Sequence, residues 1–148
     1  MNFKQIASFV KIEHTLFSLP FVLIGYLIAY DHFQSELTDT GYGWLRFDLL
    51  WILIAAIGAR GLAMTLNRII DQDIDAANPR TAQRHLASGT MSISTAWWLA
   101  VLFLVMLLLG AGMLNMVALA MAWLPVLTFV VYPYMKRFTH LPQFVLGA

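Results

Sequence analysis

The sequence predicts an all-α, polytopic membrane helical bundle. Of its 148 residues, 60% are hydrophobic and only 11% are charged, whereas charged residues make up about 25% of a typical soluble domain. No Asp, Glu, Lys or Arg occurs between His85 and Met135. A single helix needs roughly 20 mainly apolar residues to cross the hydrocarbon core, so this stretch is long enough for two crossings. The chain contains no cysteine, which excludes disulfides and zinc–thiolate sites.

Hydropathy predicts four spans, with a fifth apolar segment at the end of the chain. A polar loop over residues 31–48 separates the first two spans, and the glycines and asparagine of residues 110–115 predict a tight turn between the third and the fourth. Eight apolar residues cannot cross a bilayer, so we expect Met1 to be a natural start and the chain to continue past Ala148. All of residues 1–148 then belong to one domain, with spans at about 14–30, 49–67, 95–109 and 117–132 and a fifth that starts at 142.

The distribution of basic residues predicts the orientation in the membrane. The loop over 31–48 carries Arg46 alone, whereas the other basic residues, except Arg60 inside the second span, cluster before the first span, after the second and after the fourth. Because basic loops face the cytoplasm, we expect a bacterial inner-membrane protein with a cytoplasmic N-terminus. The net charge of +1 and the absence of a basic block argue against a nucleic-acid partner. The clustered basic residues are Lys4, Lys11, Arg68, Arg80, Arg84, Lys136 and Arg137.

A polar stripe ends the second span, in the stretch "NRIIDQDIDAANPRT". Asn67, Asp71 and Asp75 are four residues apart, so on one helix they drift by only about 80°. Arg60 lies about 20° from Asn67 and roughly 10 Å deeper along the helix, and Asp73 lies on the opposite side. We expect Arg60 to be half-buried, because charges inside spans usually have a function. One amide and two carboxylates suit Mg²⁺, and arginine suits phosphate, so Asn67, Asp71 and Asp75 are the predicted metal ligands.

Two further segments place polar side chains at the same end of the bundle. In "NPRTAQRH", Pro79 ends the helix and Arg80 and Arg84 follow it. In "YPYMKR", at the end of the fourth span, Tyr132 and Lys136 are four residues apart. The alternative explanation is membrane topology alone, with positive-inside arginines, an interfacial tyrosine and a snorkelling lysine.

These three segments in this order resemble the UbiA-type membrane prenyltransferases, and within them the 4-hydroxybenzoate polyprenyltransferases of quinone biosynthesis. The resemblance implies a UbiA-type fold of nine spans, of which about four and a half are present. It also implies Mg²⁺-assisted transfer of a polyprenyl group from an isoprenyl diphosphate to an aromatic acid. A second Asp-rich region would lie past Ala148, which leaves about half of the site on this chain. We therefore expect Asp71, Asp75, Arg60 and Lys136 to be catalytic, and Arg80, Arg84, Tyr132 and Arg137 to bind substrate.

Other functions remain open at this stage. The family usually has Arg-Pro-Leu-Pro-Ser-Gly where this chain has "RHLASG", and a histidine at this place resembles enzymes that prenylate a dihydroxynaphthoate for menaquinone. CDP-alcohol phosphatidyltransferases also use membrane-edge aspartates, but their Asp-Gly is missing and Asn67 stands in place of a glycine. A non-catalytic transporter or assembly fragment with an intramembrane Arg–Asp pair is the third alternative.

Overall fold

The regular elements in the described part of the chain are all α-helices. The computed structural model describes residues 3–10, 17, 19–28 and 43–138. The predicted all-α class is therefore confirmed for these residues. The helices are α1 (Phe3–Val10), α2 (Leu19–Ile28), α3 (Gly43–Ile70), α4 (Gln72–Ala77), α5 (Ile93–Leu114), α6 (Met116–Met121) and α7 (Trp123–Phe138).

Within the described residues, three stretches are long and apolar enough to cross a membrane, which makes the chain a multi-pass membrane protein. They are Phe47–Ile70, Ile93–Leu114 and Met116–Met135, the last formed by α6 and α7 together. Helix α2 is apolar but shorter, and the remainder of the predicted first span, except Phe17, lies outside the described residues. The predicted fifth segment, from residue 142, and the predicted loop up to residue 42 also lie outside them.

The turn predicted over residues 110–115 is confined to Asn115, because helix α5 continues to Leu114. Gly110 is buried inside that helix, and a Cβ built on it would lie 2.7 Å from both the backbone nitrogen of Ala55 and the carbonyl oxygen of Trp51. This glycine therefore brings two helices close together instead of turning the chain. Only Asn115 separates α5 from α6. Its backbone N–H donates to the carbonyl of Ala111, and its side-chain oxygen accepts the N–H of Ala118 at 2.7 Å, which caps α6.

Helix α3 is the centre of the fold, and it packs against α1, α5 and α7. Two of its glycines face α5. A Cβ on Gly58 would lie 2.5 Å from the backbone nitrogen of Leu107, and one on Gly61 would overlap the ring of Phe103. Small residues at these positions allow the close backbone approach that drives helix association in lipid. The buried core comprises Phe9, Val10, Leu62, Leu66, Leu86, Met91, Ala96, Leu99, Ala100, Phe103 and Leu107.

Helix α3 is longer than the span predicted at about 49–67. The candidate site lies at the end of this longer helix. Helical hydrogen bonds do not require apolar side chains, so the helix continues through Asn67 and Arg68 to Ile70. A connection over residues 78–91 then leads to α5, whose first turn is capped by Ser92 accepting the N–H of Thr95 at 3.2 Å. The end of α7 returns to this same end of α3, where Arg137 contacts Ile70.

The α3–α5 contact predicts opposite effects for two neighbouring glycines. Gly110→Ala should destabilise the protein by about 1–3 kcal/mol, because the added methyl overlaps backbone atoms of α3. Gly112→Ala is the matched control, since its Cβ would come no closer than 3.7 Å to Leu119. That variant should be neutral or stabilising by up to about 1 kcal/mol through helix propensity. Thermal unfolding in detergent measures both, and equal melting temperatures would contradict the packing role.

Candidate active site at the end of helix α3

The polar stripe survives a break in the helix. Helix α3 ends at Ile70 and α4 begins at Gln72, with Asp71 between them. The helical hydrogen-bond spacing nevertheless continues, because the N–H of Asp71 donates to the carbonyl of Asn67 at 3.0 Å and that of Asp75 to the carbonyl of Asp71 at 2.8 Å. The two carboxylates therefore remain on the same side of the chain as Asn67.

The aspartates differ sharply in burial. Asp71 is 0% exposed and Asp75 is 6% exposed, whereas Asp73 is exposed. A helix end that merely faced solvent would expose all three aspartates, and the burial of Asp71 and Asp75 contradicts that. Buried carboxylates need cationic or hydrogen-bonding partners to offset the loss of hydration.

Arg84 from the connection over 78–91 pairs with Asp75. Its Nη1 lies 2.9 Å from Oδ1 and 2.7 Å from Oδ2 of that carboxylate. The hydroxyl of Thr81 also donates to the backbone carbonyl of Asp75 at 3.0 Å. The connection thus folds back over α4, and the side chain of Arg84 stays about one-third exposed, at 36%.

A compact loop holds Arg84 in this position. The carbonyl of His85 accepts the N–H of Met91 at 3.0 Å and the hydroxyl of Thr90 at 3.1 Å. Gly89 adopts a φ of 71°, a left-handed conformation that favours glycine. Leu86 and Met91 are buried in the core and anchor both arms of the loop.

Arg137, at the end of α7, reaches Asp71. Its Nη2 lies 3.5 Å from Oδ1 of Asp71 and donates to the carbonyl of Ile70 at 2.7 Å. It is one of several partners of Asp71. The ring of Tyr134 lies beneath the guanidinium, 5.3 Å from centroid to Cζ. Three separate segments of the chain therefore meet at the two buried carboxylates.

The other predicted residues take different positions. Arg60 is exposed, which contradicts the expected half-burial, because Gly58 and Leu62 face the core while Arg60 points about 160–200° away from them. Arg80 is exposed and Tyr132 is half-buried on α7. The backbone of Lys136 lies in α7, and its side chain lies outside the described residues.

Sequence reasoning did not assign Arg68 to the site. It is 6% exposed, and its guanidinium lies over the ring of Phe9 at 4.9 Å. That ring meets the imidazole of His85 edge-on at 6.3 Å. The position of Arg68 next to Asn67 could have indicated a role in the site. The distribution of basic residues, however, predicted only that Arg68 faces the cytoplasm.

The side chains present suit a hard divalent cation. Carboxylate and amide oxygens are the ligands that Mg²⁺ prefers, and Asn67, Asp71 and Asp75 offer only such groups on one side of the chain. Within the described residues no three His, Asp or Glu side chains cluster as a metal site. The set therefore supplies one or two carboxylates and leaves room for ligands from a substrate.

Comparisons with known proteins point to one family. The UbiA prenyltransferase family matches residues 18–148. A protein named 4-hydroxybenzoate octaprenyltransferase from Actinobacillus pleuropneumoniae serotype 3 (strain JL03) is 34% identical over 120 residues, which are 70% of this chain and 41% of that protein. One of the same name from Yersinia pseudotuberculosis serotype IB (strain PB1/+) is 37% identical over 110 residues, 68% of this chain and 35% of that protein.

A solved structure supports the same family. The apo structure of a UbiA homolog from Aeropyrum pernix K1 superposes with a TM-score of 0.75 at 36% identity, covering 92% of this chain and 46% of that one. The chain thus spans less than half the length of the relatives that it matches.

The Arg84–Asp75 pair generates a prediction for stability. Arg84→Gln should cost about 1–3 kcal/mol because it leaves a buried carboxylate without its cation. Asp75→Asn should cost less, since Arg84 can turn towards solvent, and the double variant should cost less than the sum of the two. Thermal or denaturant unfolding with a chelator present measures this cycle. Arg80→Gln, an exposed arginine four residues away, should stay within about 0.5 kcal/mol of the unmodified protein. Strict additivity would contradict the pairing.

Proposed function

Because the chain belongs to the UbiA prenyltransferase family, we propose that it contributes to polyprenyl transfer from an isoprenyl diphosphate to 4-hydroxybenzoate or a related aromatic acid in quinone biosynthesis. The observation that carries this proposal is the pair of buried carboxylates, Asp71 and Asp75, each facing an arginine from another segment. The names of the bacterial relatives support the aromatic acceptor.

In the proposed reaction, Asn67, Asp71 and Asp75 would hold Mg²⁺, which when bound would supply positive charge to offset that of the departing diphosphate. Arg84 and Arg137 are each about one-third exposed, at 36% and 33%, so their guanidinium groups can donate to phosphate oxygens. The allylic C–O bond breaks and the diphosphate leaves with the bonding electrons. The aromatic ring forms the new C–C bond and then loses a proton.

The charges at this end of α3 suit an anionic substrate. Arg84 and Arg137 face the two buried aspartates, and Arg68 lies in the last turn of α3, so these five side chains carry one positive charge in excess. Arginine forms planar, two-pronged contacts with phosphate. The apolar helices around this end provide a medium from which water, a competing nucleophile, is excluded.

The orientation of the chain is part of the proposal. Arg68, Arg84 and Arg137 lie at the same end of α3 as the two carboxylates. The positive-inside rule places this end in the cytoplasm of a bacterial inner membrane, where soluble aromatic acids and diphosphates are accessible.

Two aspartates, one in the polar stripe and one on the opposite side of the chain, test the proposal. In the full-length protein, Asp71→Asn should reduce prenyl transfer from geranyl diphosphate to 4-hydroxybenzoate by at least about 100-fold, because a buried charge that holds the metal is lost. Asp73→Asn, the same change at an exposed position, should retain most of the activity. Equal activity of the two variants would contradict the assignment of Asp71.

The "RHLASG" segment supports a dihydroxynaphthoate as the alternative acceptor, since it places His85 at the site, edge-on to Phe9. Product formation with radiolabelled geranyl diphosphate should identify the acceptor when each aromatic acid is supplied at the same concentration. We expect 4-hydroxybenzoate to give the higher kcat/KM. A higher value for 1,4-dihydroxy-2-naphthoate would assign the chain to menaquinone synthesis, and failure with both acids would contradict aromatic prenylation.

A further inference from the structure

Arg68 is a buried cation to which the proposed reaction assigns no contact with the substrate. It lies in the last turn of α3 and is only 6% exposed. Moving a guanidinium out of water is costly unless an anion or several hydrogen bonds replace the water. Such a group at the edge of a membrane span is a candidate for binding substrate.

The described carboxylates beside Arg68 are already paired with other arginines. Both oxygens of Asp75 lie within 2.9 Å of Nη1 of Arg84, and Oδ1 of Asp71 lies 3.5 Å from Arg137. Arg68, Arg84 and Arg137 with Asp71 and Asp75 therefore leave one positive charge at this end of α3, which an anion would balance.

The ring of Phe9 fixes the guanidinium of Arg68. Phe9 is completely buried, packs over that group at 4.9 Å and meets His85 edge-on. An aromatic ring against a guanidinium face attracts the cation and leaves its in-plane N–H groups able to donate. Helix α1, which carries Phe9, contacts α3 and thereby holds the ring in place.

We propose that Arg68 is a further diphosphate-binding residue of this site and that Phe9 is the residue that positions it. This inference rests on the proposed function. It adds α1, a helix at the other end of the sequence, to the parts of the chain that shape the site. Phe9 acts through Arg68 and is therefore a positioning residue, not a catalytic one.

The first experiment compares one substitution at two buried phenylalanines. In the full-length protein with Mg²⁺, Phe9→Leu should weaken binding of inorganic diphosphate about five- to ten-fold, as measured by calorimetry, because the ring that orients Arg68 is lost. Phe103→Leu, in the core between α3 and α5, should lower the melting temperature and leave the Kd for diphosphate within about two-fold. The KM for the aromatic acid should not change in either variant.

The second experiment tests whether Phe9 acts through Arg68. Arg68→Gln should weaken diphosphate binding about ten- to one hundred-fold, and Arg68→Lys, which keeps the charge without the planar group, should have a smaller effect. In the Arg68→Gln background, Phe9→Leu should cause no further loss. The Arg68→Lys variant keeps the test informative if the glutamine variant does not fold.

The outcomes separate this inference from the function on which it rests. If the unmodified protein binds neither inorganic nor geranyl diphosphate, both proposals fail. If it binds them and both Arg68 variants keep the same Kd, only the role of Arg68 is overturned. If the losses from Phe9→Leu and Arg68→Gln multiply in the double variant, Phe9 does not act through Arg68.

Discussion

Two carboxylates buried at the end of a membrane helix impose the central constraint on this structure. Asp71 and Asp75 have lost their water, so cations must come to them from elsewhere in the chain. The connection after α4 folds back to bring Arg84 to one of them, and α7 returns to the end of α3 to bring Arg137 to the other. The fold of the connection and the return of α7 to this end of α3 thus both serve to neutralise the two buried carboxylates.

The close contact between α3 and α5 holds the two carboxylates and their partners on a rigid pair of helices. Gly58 and Gly61 on α3 and Gly110 on α5 leave no room for even a methyl group between the helices. Because lipid supplies no hydrophobic force between helices, such packing supplies much of the association energy. Helix α5 also carries the far end of the loop that presents Arg84, so the packing of the spans sets where this arginine can reach.

The sequence was sufficient for the helical class and for the spacing of Asn67, Asp71 and Asp75, since both follow from composition and a fixed helical period. The sequence was not sufficient to predict which side chains are buried. Periodicity places Arg60 on the side of Asn67, but exposure depends on which face of α3 meets α5, and that is decided by Gly58 and Leu62. Likewise, a glycine such as Gly110 is typical of a turn. Only its contact with the backbone of α3 shows that it allows the two helices to pack closely. The contacts of Arg84, Arg137 and Phe9 join segments distant in sequence, which no local pattern specifies.

The partners of the aspartates also bear on how a charged substrate enters an apolar bundle. In the structure, arginine neutralises each buried carboxylate, and both arginines remain about one-third exposed, at 36% and 33%. In the proposed reaction, a diphosphate would enter together with a divalent cation. The arginines would then exchange a carboxylate for a phosphate, and the carboxylates would exchange an arginine for the cation. Each buried charge keeps a partner of opposite sign before and after the exchange. Because an unpaired charge in a medium of low polarity is far more costly than a paired one, this exchange gives the substrate a route into the site that leaves no aspartate without a counter-ion.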